Sequence, residues 1–397
     1  MRESWRWYGP LDRIRLDEIA QTGAGGIVTA LHEIPYGEIW TVEAIEARQR
    51  LIADAGQGQE WVVVESLPVH ERIKRGEGSL STLFSNYRQS MANLAAAGVA
   101  TICYNFMPLI DWTRTELTRP VAGGGTALRF DAAQMCALEM FMLEREEAEA
   151  DYSSDVRARA KCWFDASGTR EREQVVAAVM AGLPGAYDRY DIPGLRKALA
   201  AYRDIDAGAL RANYARFLAE VIPAARELGI RLCVHPDDPP RDILGLPRVV
   251  SNAEDIAFVL DCQDTLENGL TLCSGSLGAN PANDVPAIAR RFAGRIHFAH
   301  LRNVRKEPDG SFEEAAHLGG DTDMVALVAT LLAEEGRRAA QGRTDSEIPF
   351  RPDHGHELLS DSDRDTHPGY PLIGRMRGLA ELRGVIAALS HEKTRHG

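Results

Sequence analysis

The sequence contains no long apolar run. Its most apolar stretch, residues 95–110, is interrupted by Thr101 and Asn105 and is too short to cross a bilayer. Residues 1–10 (MRESWRWYGP) have no apolar core, so no secretory leader is expected there. Cysteine is sparse and unpatterned: positions 103, 136, 162, 233, 262 and 273 form no CxxC pair and no framework spacing. That usage suits a reducing compartment better than a disulfide scaffold. Positive charge is in deficit, with 45 Lys and Arg against 58 Asp and Glu and a net charge of -13. Such a balance weighs against nucleic acid and anionic membrane surfaces as partners. It also means that an anionic ligand must be met by local positive charge, from arginines or a metal. Internal repeats and low-complexity segments are absent. These exclusions leave a soluble cytoplasmic protein with a small-molecule ligand as the expectation, self-associating as a homo-oligomer.

What is present is a steady alternation. With 45% hydrophobic residues over 397 positions, the chain can bury a substantial core. Short apolar runs at Ser4 to Tyr8, Gly26 to Leu31, Trp61 to Glu65 and Thr101 to Phe106 read as strands. They are separated by amphipathic stretches such as Val42 to Asp54 and Leu83 to Ala97, the latter stopped by Gly98. From about 111 to 204 no convincing strand appears. That segment holds Gly123, Gly124 and Gly125, a long charged helix from Asp131 to about Ala160, and a glycine–proline stretch at 182–185. It reads as a largely helical insertion, with the charge run at 144–147 on a solvated helix face.

After a helix over Asp206 to Leu228, ended by Gly229, strands resume. They are Arg231 to His235, Gly269 to Cys273, Arg295 to His300 and Pro349 to Asp353. Helices at Asn252 to Leu260, Val285 to Arg291 and Asp323 to Ala340 lie between them. Eight strands interleaved with helices is the count of a TIM (β/α)8 barrel, here a single domain over 1–397 with the insertion after strand four.

In such a barrel the carboxyl ends of the strands share the face that carries chemistry. Reading off those ends gives His235, Cys273, His300 and Asp353 from four consecutive strands. Two imidazoles, a thiolate and a carboxylate suit a divalent first-row metal. His297, three residues before His300, points to the helix layer instead. Cys233 faces inward with His235 but one layer deeper, where packing explains it.

Around this set lie further candidates. His354 follows Asp353 directly and serves either as general acid or base or as a partner orienting Asp353. His356 reads as a supporting residue. Tyr370, in the loop 366–371 (THPGYP), is either carried into the site by a lid or part of a surface turn. Arg302 and Arg351 are candidate partners for a substrate carboxylate. Asn105 ends strand four and can meet hydroxyls, and His317 sits on a glycine-rich loop after strand seven.

Several strings carry a resemblance. Residues 4–9 (SWRWYG), 26–31 (GIVTAL), 234–240 (VHPDDPP), 243–248 (ILGLPR), 300–302 (HLR), 314–317 (EAAH) and 351–356 (RPDHGH) are similar to those of D-mannonate dehydratases. The resemblance runs from about residue 4 to about residue 387. It implies a xylose-isomerase-like barrel dependent on Mn2+ or Fe2+, with His235, Cys273, His300 and Asp353 as ligands and His354 and Tyr370 as the acid–base pair. It further implies dehydration of D-mannonate to 2-dehydro-3-deoxy-D-gluconate in hexuronate breakdown. The nearest alternative is a metal-dependent sugar isomerase or epimerase, or a dehydratase of an epimeric aldonate, on the same barrel.

Overall fold

Twelve strands build two sheets in the computed structural model, which describes residues 1–55, 58–182 and 190–396. The strands are β1 (Arg2–Arg6), β2 (Gly26–Thr29), β3 (Glu60–Glu65), β4 (Thr101–Tyr104), β5 (Glu116–Pro120), β6 (Thr126–Phe130), β7 (Arg231–Val234), β8 (Asn268–Cys273), β9 (Ile296–Leu301), β10 (Asn303–Lys306), β11 (Phe312–Ala315) and β12 (Pro349–Pro352). Eight of them close a parallel barrel in the order β1-β12-β9-β8-β7-β4-β3-β2. These are the eight expected from the sequence. The other four form an antiparallel sheet ordered β10-β11-β6-β5.

The barrel axis is filled by side chains pointing inward from alternate positions. Val28, Val63, Cys103, Cys233 and Phe298 pack together there, fully buried. The two-residue period of a strand then fixes what comes next toward the carboxyl end. Two residues beyond Val63 is Glu65, two beyond Cys233 is His235, and two beyond Phe298 is His300. On β8, Thr271 packs inward with its hydroxyl 3.2 Å from Cys103 Sγ, and Cys273 follows two residues later. An apolar floor thus holds up a ring of polar groups at one mouth.

Outside the barrel, helices cover the strands with the larger apolar cluster. Their ends follow local chemistry. Thr41 caps Val42–Asp54 by accepting from the Ala44 N–H. Asp206 caps Ala207–Leu228, and Gly229 ends that helix in the left-handed region at φ 68°, where a side chain would be strained. No helix among the described residues is long and apolar enough to cross a membrane.

The segment between β4 and β7 departs from the sequence expectation twice. It contains strands β5 and β6, joined by a hairpin turn in which Gly123, Gly124 and Gly125 all have positive φ. Neither strand has the apolar character of a barrel strand. They are stabilised by a distant hairpin, with β6 pairing β11 through Phe130 opposite Phe312. The helix expected over Asp131 to Ala160 is also broken. Ala132–Ala137 runs into a π turn at Leu138–Met142, and a new helix, Ser154–Ala166, starts under its own Ser153 cap. Glu139 lies in this turn, where its buried carboxylate accepts from Tyr152 Oη at 2.7 Å and Leu244 N at 2.9 Å, and pairs with Arg145. The charge run at 144–147 therefore lies in a turn rather than on a helix. The glycine–proline stretch at 182–185 falls largely outside the described residues.

His297 illustrates the opposite face of β9. Its Nε2 lies 2.8 Å from the Leu266 carbonyl, and burial, with Arg338 and Arg231 nearby, pushes its pKa down to about 3. The folded state thus keeps this imidazole neutral while the unfolded chain takes up a proton below about pH 6.5. The unfolded state binds more protons between those two values, so stability falls as pH drops through that window. One such group contributes at most about 1.4 kcal/mol per pH unit. Urea unfolding of His297→Gln between pH 4 and 6 should show a shallower pH dependence than the wild type. Equal slopes would remove His297 from the acid response.

Candidate active site

The strand ends bring three of the four expected ligands into one place. His235, Cys273 and His300 offer ligand atoms that all lie within 4.8 Å of one another. His235 Nε2 and His300 Nδ1 are 3.1 Å apart. His235 Nδ1 is 2.6 Å from the Pro236 carbonyl, so it carries the proton and leaves Nε2 as a lone pair. Cys273 Sγ accepts from Ser276 N at 3.4 Å and Ser276 Oγ at 3.1 Å, which fixes the sulfur at the mouth of the barrel. Asp353 stands beside this trio, its Oδ2 3.7 Å from the sulfur. A soft sulfur and two imidazoles gathered this closely form a donor set that suits a divalent transition metal.

Asp353 is more heavily engaged than a strand-end carboxylate need be. It pairs with Arg351, accepts from Arg302 Nη1 at 3.2 Å, and accepts from Tyr370 Oη at 3.2 Å. Burial by itself would raise its pKa; Arg351, His354 and Arg302 outweigh that and hold it well below the usual carboxylate range. Tyr370 is buried, not on a surface turn. Its phenol pKa is pushed up by burial and by the Asp353 carboxylate, so it is a protonated donor at neutral pH.

A second set of buried charges forms the wall next to the trio. Arg114 grips Asp238 with two nitrogens, at 2.8 and 3.1 Å, and reaches Glu314 at 2.9 Å. Arg302 donates to Asp238 at 2.9 Å and lies 3.3 Å from Glu314. Arg351 holds Glu65 through two nitrogens, at 3.0 and 2.7 Å. His354 Nδ1 lies 3.0 Å from Glu314 Oε1, and its ring meets Trp112 and Tyr370 edge-on. A small cavity opens among these groups, lined by Glu65, Asn105, Trp112, His235, His354 and Tyr370 among others.

This placement sorts the other candidates. Arg302 and Arg351 reach the cavity, but protein carboxylates already occupy their nitrogens, so they are not free clamps for a substrate carboxylate. The sequence displays the arginines without their distant partners, which is why they look free there. Asn105 lines the cavity and donates to Asp111 Oδ2 at 2.8 Å. His317 does not reach it. Its ring packs against Gly378, where a Cβ would come within 2.1 Å of the imidazole, beside a separate small cavity shared with His356 and Glu381. His356 supports the wall from behind, its Nε2 2.9 Å from the Glu314 carbonyl.

Reading strand ends missed five charged residues. Glu65 ends β3 and would have emerged from the same rule that found Cys273. Asp238 and Glu314 sit inside strings already noted, 234–240 and 314–317. Arg114 carried no signal, being in a segment without barrel periodicity. Arg6, at the end of β1, is fully buried, lies 3.2 Å from His32 Nε2, and keeps Nε and Nη1 without a protein partner.

Asp238 is the joint of this wall, since two buried guanidinium groups depend on it. Truncation leaves both under-compensated in a dry site, which typically costs about 3–5 kcal/mol. Asp238→Ala should lose that much unfolding free energy in urea at neutral pH. A loss below about 1 kcal/mol, the range of an exposed pair, would show the wall to be solvated.

Over residues 1–396 the sequence matches the family model described as D-mannonate dehydratase (UxuA). It is 53% identical over 390 residues to mannonate dehydratase of Chromohalobacter salexigens, covering 98% of this chain and 99% of that protein. The mannonate dehydratase of Saccharophagus degradans is 49% identical over 397 residues, covering 100% of both. The crystal structure of mannonate dehydratase from Streptococcus suis serotype 2 is similar with a TM-score of 0.78 at 32% identity, covering 99% of this chain and 95% of that chain.

Proposed function

The chain belongs to the D-mannonate dehydratase family, and from that premise we propose its reaction. It removes water from D-mannonate to give 2-dehydro-3-deoxy-D-gluconate, taking the proton from C2 and releasing the C3 hydroxyl as water. The observation that carries this reading is the convergence of His235, Cys273 and His300 beside Asp353, with His235, Asp353, His354 and Tyr370 lining one cavity.

His235, Cys273, His300 and Asp353 would hold the metal, Mn2+ or Fe2+. When bound, it supplies Lewis-acid stabilisation of negative charge developing on the substrate. The remaining work falls to protein groups. The C2 proton needs an acceptor, and the C3 hydroxyl leaves well only as water, so it needs a donor. His354 and Tyr370 line the same cavity with their rings 4.9 Å apart, close enough to serve neighbouring carbons. Arg302 and Arg351 act by fixing the carboxylates around these groups, a rigid charge frame of the kind that needs no reorganisation during reaction. Asn105 supplies polar contacts to the sugar hydroxyls.

Incubating the Mn2+-loaded protein with D-mannonate and assaying 2-keto acid tests the whole reading. Product formation is expected. Turnover of an epimeric aldonate in place of mannonate would change the substrate, and silence with both would end the proposal. Tyr370→Phe should lower turnover by roughly 10²–10⁴, the usual worth of an acid–base group, while keeping its metal; unchanged turnover would strip Tyr370 of its role. Cys273→Ala should lose most of its metal by elemental analysis, and full occupancy would contradict the ligand assignment.

A further inference from the structure

We propose that Glu314 is a positioning residue that sets the tautomer and orientation of His354, holding its Nδ1–H and leaving Nε2 with a lone pair for the substrate. This rests on the reading above in which His354 takes part in the reaction, and it adds which proton state the ring brings.

The geometry is closed on every side. Glu314 and His354 are each 1% exposed, with Oε1 3.0 Å from Nδ1. Glu314 belongs to β11, where it pairs across from Val304, so its backbone is fixed by the second sheet. Its carbonyl is bound by His356 at 2.9 Å, and Arg114 donates to the same Oε1 at 2.9 Å. Trp112 and Tyr370 stand edge-on to the imidazole at centroid distances of 5.4 and 4.9 Å, leaving the ring little room to turn.

One contact points the other way. Arg302 Nη1 lies 3.2 Å from His354 Nδ1, and a donating guanidinium would ask for a lone pair there. The two demands are unequal. Arg302 Nη1 has Asp353 Oδ2 as an alternative acceptor at 3.2 Å. Glu314 has no alternative state. Burial would raise its pKa, but the guanidinium groups of Arg302 and Arg114 that it touches hold it below the usual carboxylate range whatever the state of His354, so it is an ionised acceptor only. A lone pair on Nδ1 would place two acceptors 3.0 Å apart in a dry site. The shorter, charge-assisted bond prevails, and Nδ1 carries the hydrogen. His354 therefore enters the reaction as the proton acceptor through Nε2, which leaves Tyr370 Oη, already protonated, as the donor.

The string at 314–317 thus has a use that the ligand set does not absorb. The second sheet delivers a carboxylate to the back of the reacting imidazole, the arrangement by which a buried acid selects a histidine tautomer.

Glu314→Gln keeps size and packing but can present an amide N–H to Nδ1, which demands the opposite tautomer. We expect kcat to fall by about 10²–10⁴, with KM changed by less than about threefold and metal content unaltered. In a His354→Asn background the same substitution should have almost no further effect, because its action runs through the imidazole. A full, multiplicative loss there would make Glu314 a general support and overturn the proposal, as would wild-type kcat in Glu314→Gln. A third readout does not depend on any variant folding. ¹⁵N-histidine spectra of the wild-type protein loaded with diamagnetic Zn2+ should show His354 protonated at Nδ1 and not at Nε2; the reverse pattern contradicts it. Wild-type turnover in His354→Asn would instead remove His354 from the chemistry, a separate failure, with the spectrum still judging Glu314.

Discussion

Ionised groups survive in the dry mouth of a barrel only when opposite charges surround them. Here Arg114, Arg302 and Arg351 alternate with Asp238, Glu314, Asp353 and Glu65, all buried. Remove one member and its neighbours are left under-compensated in low dielectric, so the members depend on one another. That mutual dependence fixes the position of each carboxylate to within a hydrogen bond. It also lets Asp353 stay deprotonated beside a sulfur and two imidazoles. The reaction proposed above would use such a frame: a sugar acid brings its own negative charge, and loss of the C2 proton would add to it.

The two sheets divide the labour. The barrel presents His235, Cys273 and His300 from β7, β8 and β9 on an apolar floor, where strand periodicity sets their height. The antiparallel sheet holds nothing of the ligand trio. Its contribution is Glu314, brought to His354 by a strand that belongs to the hairpin after β9. A segment that looks like decoration on the barrel therefore reaches the wall of the cavity through one carboxylate.

Much of this was legible in the sequence, and the boundary has a physical cause. Barrel strands announce themselves because buried runs such as 231–235 and 296–301 leave no doubt about period, and Asp206 and Gly229 mark a helix by local capping chemistry alone. The clustering of His235, Cys273 and His300 followed from one rule about strand ends. Pairings between distant residues did not. Arg351 meets Glu65 and Arg114 meets Glu314 across 286 and 200 positions, so no local pattern encodes them, and the arginines looked available. Strands β5 and β6 were hidden for the same reason, since their partner is a hairpin far along the chain. His317 was misplaced because a loop's path cannot be read from its glycines, and the break after Ala137 comes where Glu139 meets Tyr152 and Leu244, contacts that no local pattern encodes.

The most direct test is anomalous scattering at the manganese edge from crystals grown with Mn2+. A single strong peak should appear within bonding distance of His235, Cys273 and His300, with Asp353 completing the set. A peak elsewhere, or one that excludes the Cys273 sulfur, would contradict the convergence on which the enzyme's chemistry depends.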